Sequence, residues 1–188
     1  RAGYGTLAVD LRGHGGSAVD PSGAPRTWKD FRAAKDVNDF VGMFKDVEAA
    51  VAWLVGQGVP DDYIALVGAD LGGSLALKHG GAYPRTPLVV MLSPGLAYRD
   101  IPVVNAVRMY KNRPILMVYS VADKTSSSSI PVMNAFAQRA AGADKAAVLS
   151  VPVGVSTGLL TAQPDLPGRI VAWVGNPVGG DLTSRATP

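Results

Sequence analysis

Two short motifs hold the residue types from which a reaction site could be built. In Gly68-Ala-Asp-Leu-Gly-Gly73, Asp70 stands between an apolar run and a helical pattern, so its carboxylate falls at a strand-to-helix turn. A carboxylate in that place attacks an alkyl carbon, and the partial positive charge of the helix N-terminus keeps it ionised. The same side chain can instead cap the helix that begins at Leu71, accepting N–H bonds from Gly72 or Gly73. Asp123 lies just past the apolar run Ile115–Tyr119. It can orient an imidazole, pair with Lys124 or another cation, or accept from backbone N–H groups. As an uncompensated pair, Asp70 and Asp123 would raise one of their two pKa values and offer a site to a cation or an amine.

The other polar residues read as structural. Ser74, Ser93 and Ser156 have hydroxyls with no neighbouring base and suit helix packing, a strand end and loop hydrogen bonding. In the turn Asp10-Leu-Arg-Gly-His-Gly-Gly-Ser17, the glycines supply positive φ and Arg12 braces neighbouring loops. The Gly68–Gly73 stretch lacks the Gly-Lys-Ser/Thr ending of a phosphate loop, which argues against nucleotide binding. Trp28, Phe31 and Phe40 suit loop-on-core packing, with a pocket lining as the rarer use, while Trp53 and Trp173 read as core.

Elements that alternate along the whole chain must position these groups. Gly5–Asp10, Tyr63–Val67, Leu88–Leu92, Ile115–Tyr119 and Ala147–Val151 are apolar runs of strand length. Between them, Val37, Phe40, Val41, Phe44, Val47, Val51 and Leu54 recur at helical spacing, and Gly56 and Gly58 stop that helix. Further helices are expected from Leu71 to about His79, over Ile130–Ala141 after a Ser126–Ser129 loop and cap, and over Thr157–Val174 with a break near Pro164 and Pro167. Ala18 to Lys35 reads as a polar loop. Continuous apolar strands separated by helices specify an α/β fold, a mostly parallel sheet with helices on both faces. Ligand sites in such sheets lie beyond the carboxyl ends of the strands, where a small-molecule ligand is expected.

Composition narrows the function classes. The 188 residues are 47% hydrophobic and 18% charged, which suits one well-buried domain, here residues 1–174 with 175–188 as a surface tail. A net charge of +3 without a Lys/Arg block argues against nucleic acid as a partner. With no cysteine and two histidines, thiolate chemistry and Cys-ligated zinc are excluded, and neither a metal nor another cofactor is expected. No apolar run approaches the roughly 20 residues that span a bilayer.

Taken in order, these motifs resemble the α/β-hydrolase family, closest to its dienelactone-hydrolase-like and serine esterase- or peptidase-like members. Asp10–Ser17 is similar to the D-x-R-G-x-G-x-S turn, Gly68–Gly73 stands where the G-x-S-x-G nucleophile elbow belongs, and Leu92-Ser-Pro-Gly95 resembles the end of the next strand. The resemblance places Asp123 at the triad acid and Val153-Gly-Val-Ser-Thr-Gly158 at the loop of the triad histidine, with Val155 in the histidine's place. It also makes the Leu71 backbone N–H an oxyanion donor. In the family a β-hairpin, a strand and a helix precede the Asp10 strand, so N-terminal strands are expected to be missing. That missing strand would lie between the Asp10 and elbow strands.

The resemblance departs from the family at the reacting groups. A serine triad needs a hydroxyl, an imidazole and a carboxylate, and only the carboxylate, Asp123, is in place. His79 lies about 13 Å along the helix from Asp70 at 1.5 Å per residue, and His14 belongs to the first turn. The expectation is a member without triad catalysis, kept as a binding or scaffold protein. The rivals are a hydrolase with Asp70 as its nucleophile, as in haloalkane dehalogenases and epoxide hydrolases, and a fragment or variant of an active serine hydrolase.

Overall fold

The computed structural model describes residues 3–34 and 36–183. Its centre is a five-stranded, all-parallel sheet of β3 (Leu66–Ala69), β4 (Val89–Leu92), β7 (Ile115–Ser120), β8 (Ala146–Val151) and β9 (Gly180–Asp181), side by side in that order. Two-residue hairpins flank it: β1 (Ala33–Ala34) pairs with β2 (Val37–Asn38), and β5 (Ala97–Tyr98) with β6 (Ile101–Pro102).

The strands are apolar throughout because both faces are covered. Val89, Met91, Ile115 and Met117 point into one cluster, with Ala76 and Leu77 of α2 (Leu71–Ala82), Val107 of α3 (Val104–Met109) and Met133 and Ala137 of α4 (Lys124–Ala141). The alternate residues Val90, Leu92, Leu116 and Val118 enter a second cluster, with Leu159 of α5 (Gly158–Ala162) and Leu166, Ile170 and Trp173 of α6 (Leu166–Gly175). Each fully buried Leu or Met stabilises the fold by about 1.5–3 kcal/mol. A third cluster, around Phe40, Met43, Leu75 and Ile101, joins α1 (Phe44–Gly56) to α2.

Several expectations change. Gly5–Asp10 pairs with no strand among the described residues, and Leu7 and Val9 stay exposed. An apolar run becomes a strand only where a neighbour takes up its N–H and C=O groups. Instead Leu7–Asp10 borders an open cleft of about 690 Å³ against Asp46, Ala49, Ala50 and Trp53 of α1. Trp53 is exposed there, not core. The Asp10–Ser17 turn is tied to α1 at the same place, since the Arg12 guanidinium grips Asp46 by Nε (3.0 Å to either oxygen) and by NH2 (2.6 Å).

The helix expected from Val37 begins at Phe44, because Asn38 accepts the Phe40 N–H and opens a 3₁₀ turn over Asp39–Met43. The helix expected from Ile130 begins instead at Lys124. Asp123 caps it, accepting from Thr125 N and Ser126 N, so Ser126–Ser129 lie inside the helix, which also runs through Pro131. Of the expected surface tail, residues 184–188 lie outside the described residues, and part of the rest is inside the fold. Gly180–Asp181 pairs with β8, Leu182 is buried, and the Trp173 indole N–H donates to Val178 O at 2.8 Å. No helix among the described residues is long and apolar enough to cross a membrane.

Candidate functional site

The site starts from a turn with almost no room. β3 ends at Ala69 and α2 starts at Leu71, so Asp70 alone reverses the chain, at φ 49° and ψ −116°. An aspartate in that region costs about 1–3 kcal/mol, which the packing around it must hold. The helix can turn this sharply because position 68 lacks a side chain: a Cβ on Gly68 would come within 2.3 Å of the Gly72 backbone. Asp70 N donates to Leu92 O at 2.9 Å, and Asp70 O accepts from Ser74 N at 3.1 Å, fixing the turn from both sides.

The strained backbone decides where the carboxylate goes. It makes no capping bond to α2, against the expectation that it caps that helix, and lines a cavity of about 360 Å³ beyond the carboxyl ends of the strands. The other walls are His14, Trp28, Phe40, Leu71, Tyr98 and Arg99. Leu71, whose N–H was expected as the oxyanion donor, is thus beside Asp70 at the first turn of α2.

The end of β4 arranges the opposite side. Ser93, at φ 47°, gives its hydroxyl oxygen to the Ser156 N–H at 2.7 Å and its carbonyl to the Tyr98 hydroxyl at 2.8 Å. Ser156, itself at φ 58°, and Tyr98 thereby lie beside the Asp70 carboxylate, close enough to influence its charge, while the Tyr98 proton is committed to Ser93 O. Burial pushes the Asp70 pKa up, the Ser156 and Tyr98 hydroxyls pull it back, and the negative charge of Asp123 pushes it up again. Burial, followed by the charge on Asp70, drives the Tyr98 phenol up to about 12, so it is a neutral donor at ordinary pH. Asp123 is turned to the first turn of α4, holding Thr125 N at 3.1 Å, Ser126 N at 3.4 Å and Ser126 Oγ at 2.6 Å.

The structure thus brings Asp70, Asp123 and Leu71 to one end of the sheet and leaves Val155 out. Val155 is 55% exposed; Ser156 is the loop residue turned towards Asp70. The offset of one residue comes from Gly154 (φ 110°) and the positive φ of Ser156, which reverse the loop. His14 does more than shape its turn. Its ring stacks on Trp28 at 6.2 Å, with Nδ1 3.3 Å from Arg12 O, and it lines the same cavity as Asp70, although no hydrogen bond joins the two among the described residues.

Tyr98 and Arg99 were invisible in the sequence. They belong to the β5–β6 hairpin, whose turn residues Arg99 (φ 51°) and Asp100 (φ 58°) are both left-handed, as a two-residue hairpin loop requires, without the Asn-Gly that would announce it. Asn38 Nδ2 donates to Arg99 O at 2.6 Å and pins that turn over the cavity. No group of three or more His, Asp or Glu side chains that could hold a metal gathers among the described residues.

A triad-like arrangement of loops around a strand-to-helix elbow, on a parallel sheet, is the geometry by which α/β-hydrolases are recognised. No curated protein matches the chain. The family model described as serine aminopeptidase, S33, matches residues 1–167, from before the first turn into α6. The chain belongs to that family of α/β-hydrolase-fold proteins.

Proposed function

We propose that this chain binds a small molecule at the carboxyl end of its sheet and does not carry out serine-triad hydrolysis. The observation that carries the reading is the company kept by Asp70. Two hydroxyls face it and a second carboxylate repels it, whereas a triad nucleophile needs an imidazole within hydrogen-bond reach to take its proton. Asp123, the acid that would orient that imidazole, spends its oxygens on the first turn of α4.

One observation favours a second reading. Asp70 has the backbone of a nucleophile elbow and points its carboxylate into the cavity. In that reading an Asp70 oxygen attacks an alkyl carbon, a carbon–oxygen bond forms, and the halide leaves or the epoxide opens. Release of the resulting ester needs an activated water, and among the described residues no base is hydrogen-bonded to Asp70 to activate one.

Incubation with p-nitrophenyl acetate, an alkyl bromide and styrene oxide, followed by intact mass measurement, tests both readings. Unchanged mass and no ester turnover are expected. Ester turnover above the protein-free rate overturns the binding reading. A single stoichiometric adduct on Asp70 establishes the aspartate nucleophile, and sustained turnover of bromide or epoxide adds a working base.

A further inference from the structure

Away from the cavity, α1 and α2 meet through Phe44 and Glu48 on one helix and His79 and Tyr83 on the other, each pair one turn apart on a single helix face. The Tyr83 hydroxyl donates to Glu48 Oε1, and among the described residues that is the one hydrogen bond the Glu48 carboxylate makes. The buried His79 ring stacks on Tyr83, with centroids 4.4 Å apart, and tilts against Phe44 at 6.3 Å. Its Nδ1 is 3.2 Å from the Thr86 hydroxyl, and its other ring nitrogen has no hydrogen-bond partner among the described residues. Glu48 is the carboxylate whose charge reaches the ring. Two cations stand at the same end of α2. Arg113 donates to Gly80 O at 2.7 Å and to Thr86 O at 2.9 Å, and Arg85 is paired with Asp61 and Asp62.

A neutral imidazole fits this place as it stands. An imidazolium does not: it is shut off from water, Arg113 repels it, and its balancing charge has to come from Glu48. We infer that the contact is a proton-operated joint, in which a second proton on His79 takes Glu48 away from the Tyr83 hydroxyl and loosens the seat of α1 on α2. Burial holds the His79 pKa below its usual value against the pull of Glu48, so the joint is closed at neutral pH and loosens on the acid side of the ordinary histidine range. Movement of α1 reaches further than the joint. Asp46, two residues before Glu48, accepts from Arg12 N at 2.8 Å and from the Arg12 guanidinium, and so carries the Asp10–Ser17 turn, whose His14 lines the cavity beside Asp70.

Imidazole NMR follows the two histidines, with His79→Gln assigning their signals, and native-state hydrogen exchange on the same samples follows the Arg12 amide that Asp46 holds. Neither readout uses a ligand, so both are independent of the binding reading. In the parent, the Arg12 amide is expected to lose about fivefold or more of its protection with the midpoint of His79, not of His14. That loss should be absent in His79→Gln. Tyr83→Phe frees Glu48 and should raise the His79 midpoint by about half a unit, roughly threefold in proton affinity, while Glu48→Gln should lower it by a similar amount. A His79 midpoint unmoved by Tyr83→Phe shows that Glu48 is not shared and overturns the joint. So does an Arg12 amide that loses protection equally in His79→Gln. Should a variant fail to fold, the parent decides: a protection loss that tracks His79 supports the joint, and one that tracks His14 or is absent overturns it.

Discussion

The backbone N–H of Ser156 is anchored on the hydroxyl of Ser93, 2.7 Å away and 63 residues earlier in the chain. That bond joins the loop after β8 to the tip of β4. It turns Ser156, and not Val155, towards Asp70, and so defines where a proton-accepting group would have to be placed to convert the site.

Asp70→Ser alone is expected to hydrolyse no ester, because the new hydroxyl would face another hydroxyl. Asp70→Ser with Ser156→His supplies nucleophile and base at facing positions and should raise p-nitrophenyl acetate turnover about 10²-fold over either single variant, the low end of what a positioned base contributes. Asp70→Ser with Val155→His should stay silent, because position 155 is exposed. Turnover by Asp70→Ser alone would mean that His14 reaches the elbow.

Asp70 also carries a signature in stability. Its folded pKa is raised, chiefly by burial, so the native state holds the proton to higher pH than the unfolded chain does. Stability is therefore greatest with the carboxyl protonated and declines as pH rises from the ordinary carboxylate range through the raised folded value. Asp70→Asn should melt at a higher temperature than the parent at pH 7, and the difference should close as pH falls below about 4. A gap that widens on acidification would contradict the assignment.

His79 predicts the opposite dependence. It is 4% exposed on α2, its ring stacked 4.4 Å from Tyr83 and Nδ1 3.2 Å from the Thr86 hydroxyl. Burial pushes its pKa below the usual value and outweighs the pull of Glu48. A depressed folded pKa means stability that is present above the ordinary histidine pKa of about 6.5 and is lost as pH falls through the folded value. His79→Gln, which keeps a partner for Thr86, should cost about 1 kcal/mol at pH 7.5 and remove much of the parent's loss of melting temperature between pH 7 and 5.

Ending the chain at Asn176 should destabilise it. The variant loses β9, the buried Leu182, the Val178 carbonyl that receives the Trp173 indole and the Leu182 carbonyl that receives Arg169. Burial of one leucine alone is worth about 2 kcal/mol, and the orphaned indole N–H adds to that. Denaturant melts of the two lengths measure the difference; equal midpoints would show that these contacts contribute nothing.

How far the sequence carried depends on what each residue answers to. β4, β7 and β8 were legible nearly to the residue because runs such as Val89–Leu92 are buried on both faces, and hydrophobicity is then sufficient to mark them. Asp70 was legible as a turn residue because Gly68, Gly72 and Gly73 surround it. Its freedom from the capping role was not, since that follows from ψ, which no composition records. Gly5–Asp10 has a strand's composition, but strand formation depends on a neighbour, and the Gly180–Asp181 strand has almost no signal of its own. Arg99 reaches the cavity through a hairpin of two-residue strands whose left-handed turn residues are aspartate, which tolerates that conformation, and arginine, which seldom takes it.

The margin of the sheet at β3 has a consequence for how the protein behaves in concentrated solution. Among the described residues Leu66–Ala69 hydrogen-bonds to β4 on one side only, and Val67 is 57% exposed along it. A short apolar border with open amide and carbonyl positions is a template for another extended backbone, and no lysine, proline or bulge within it discourages docking by a second molecule. Where that border is left open, as it is among the described residues, a charge at position 67 is expected to lower self-association, read as light scattering at high concentration.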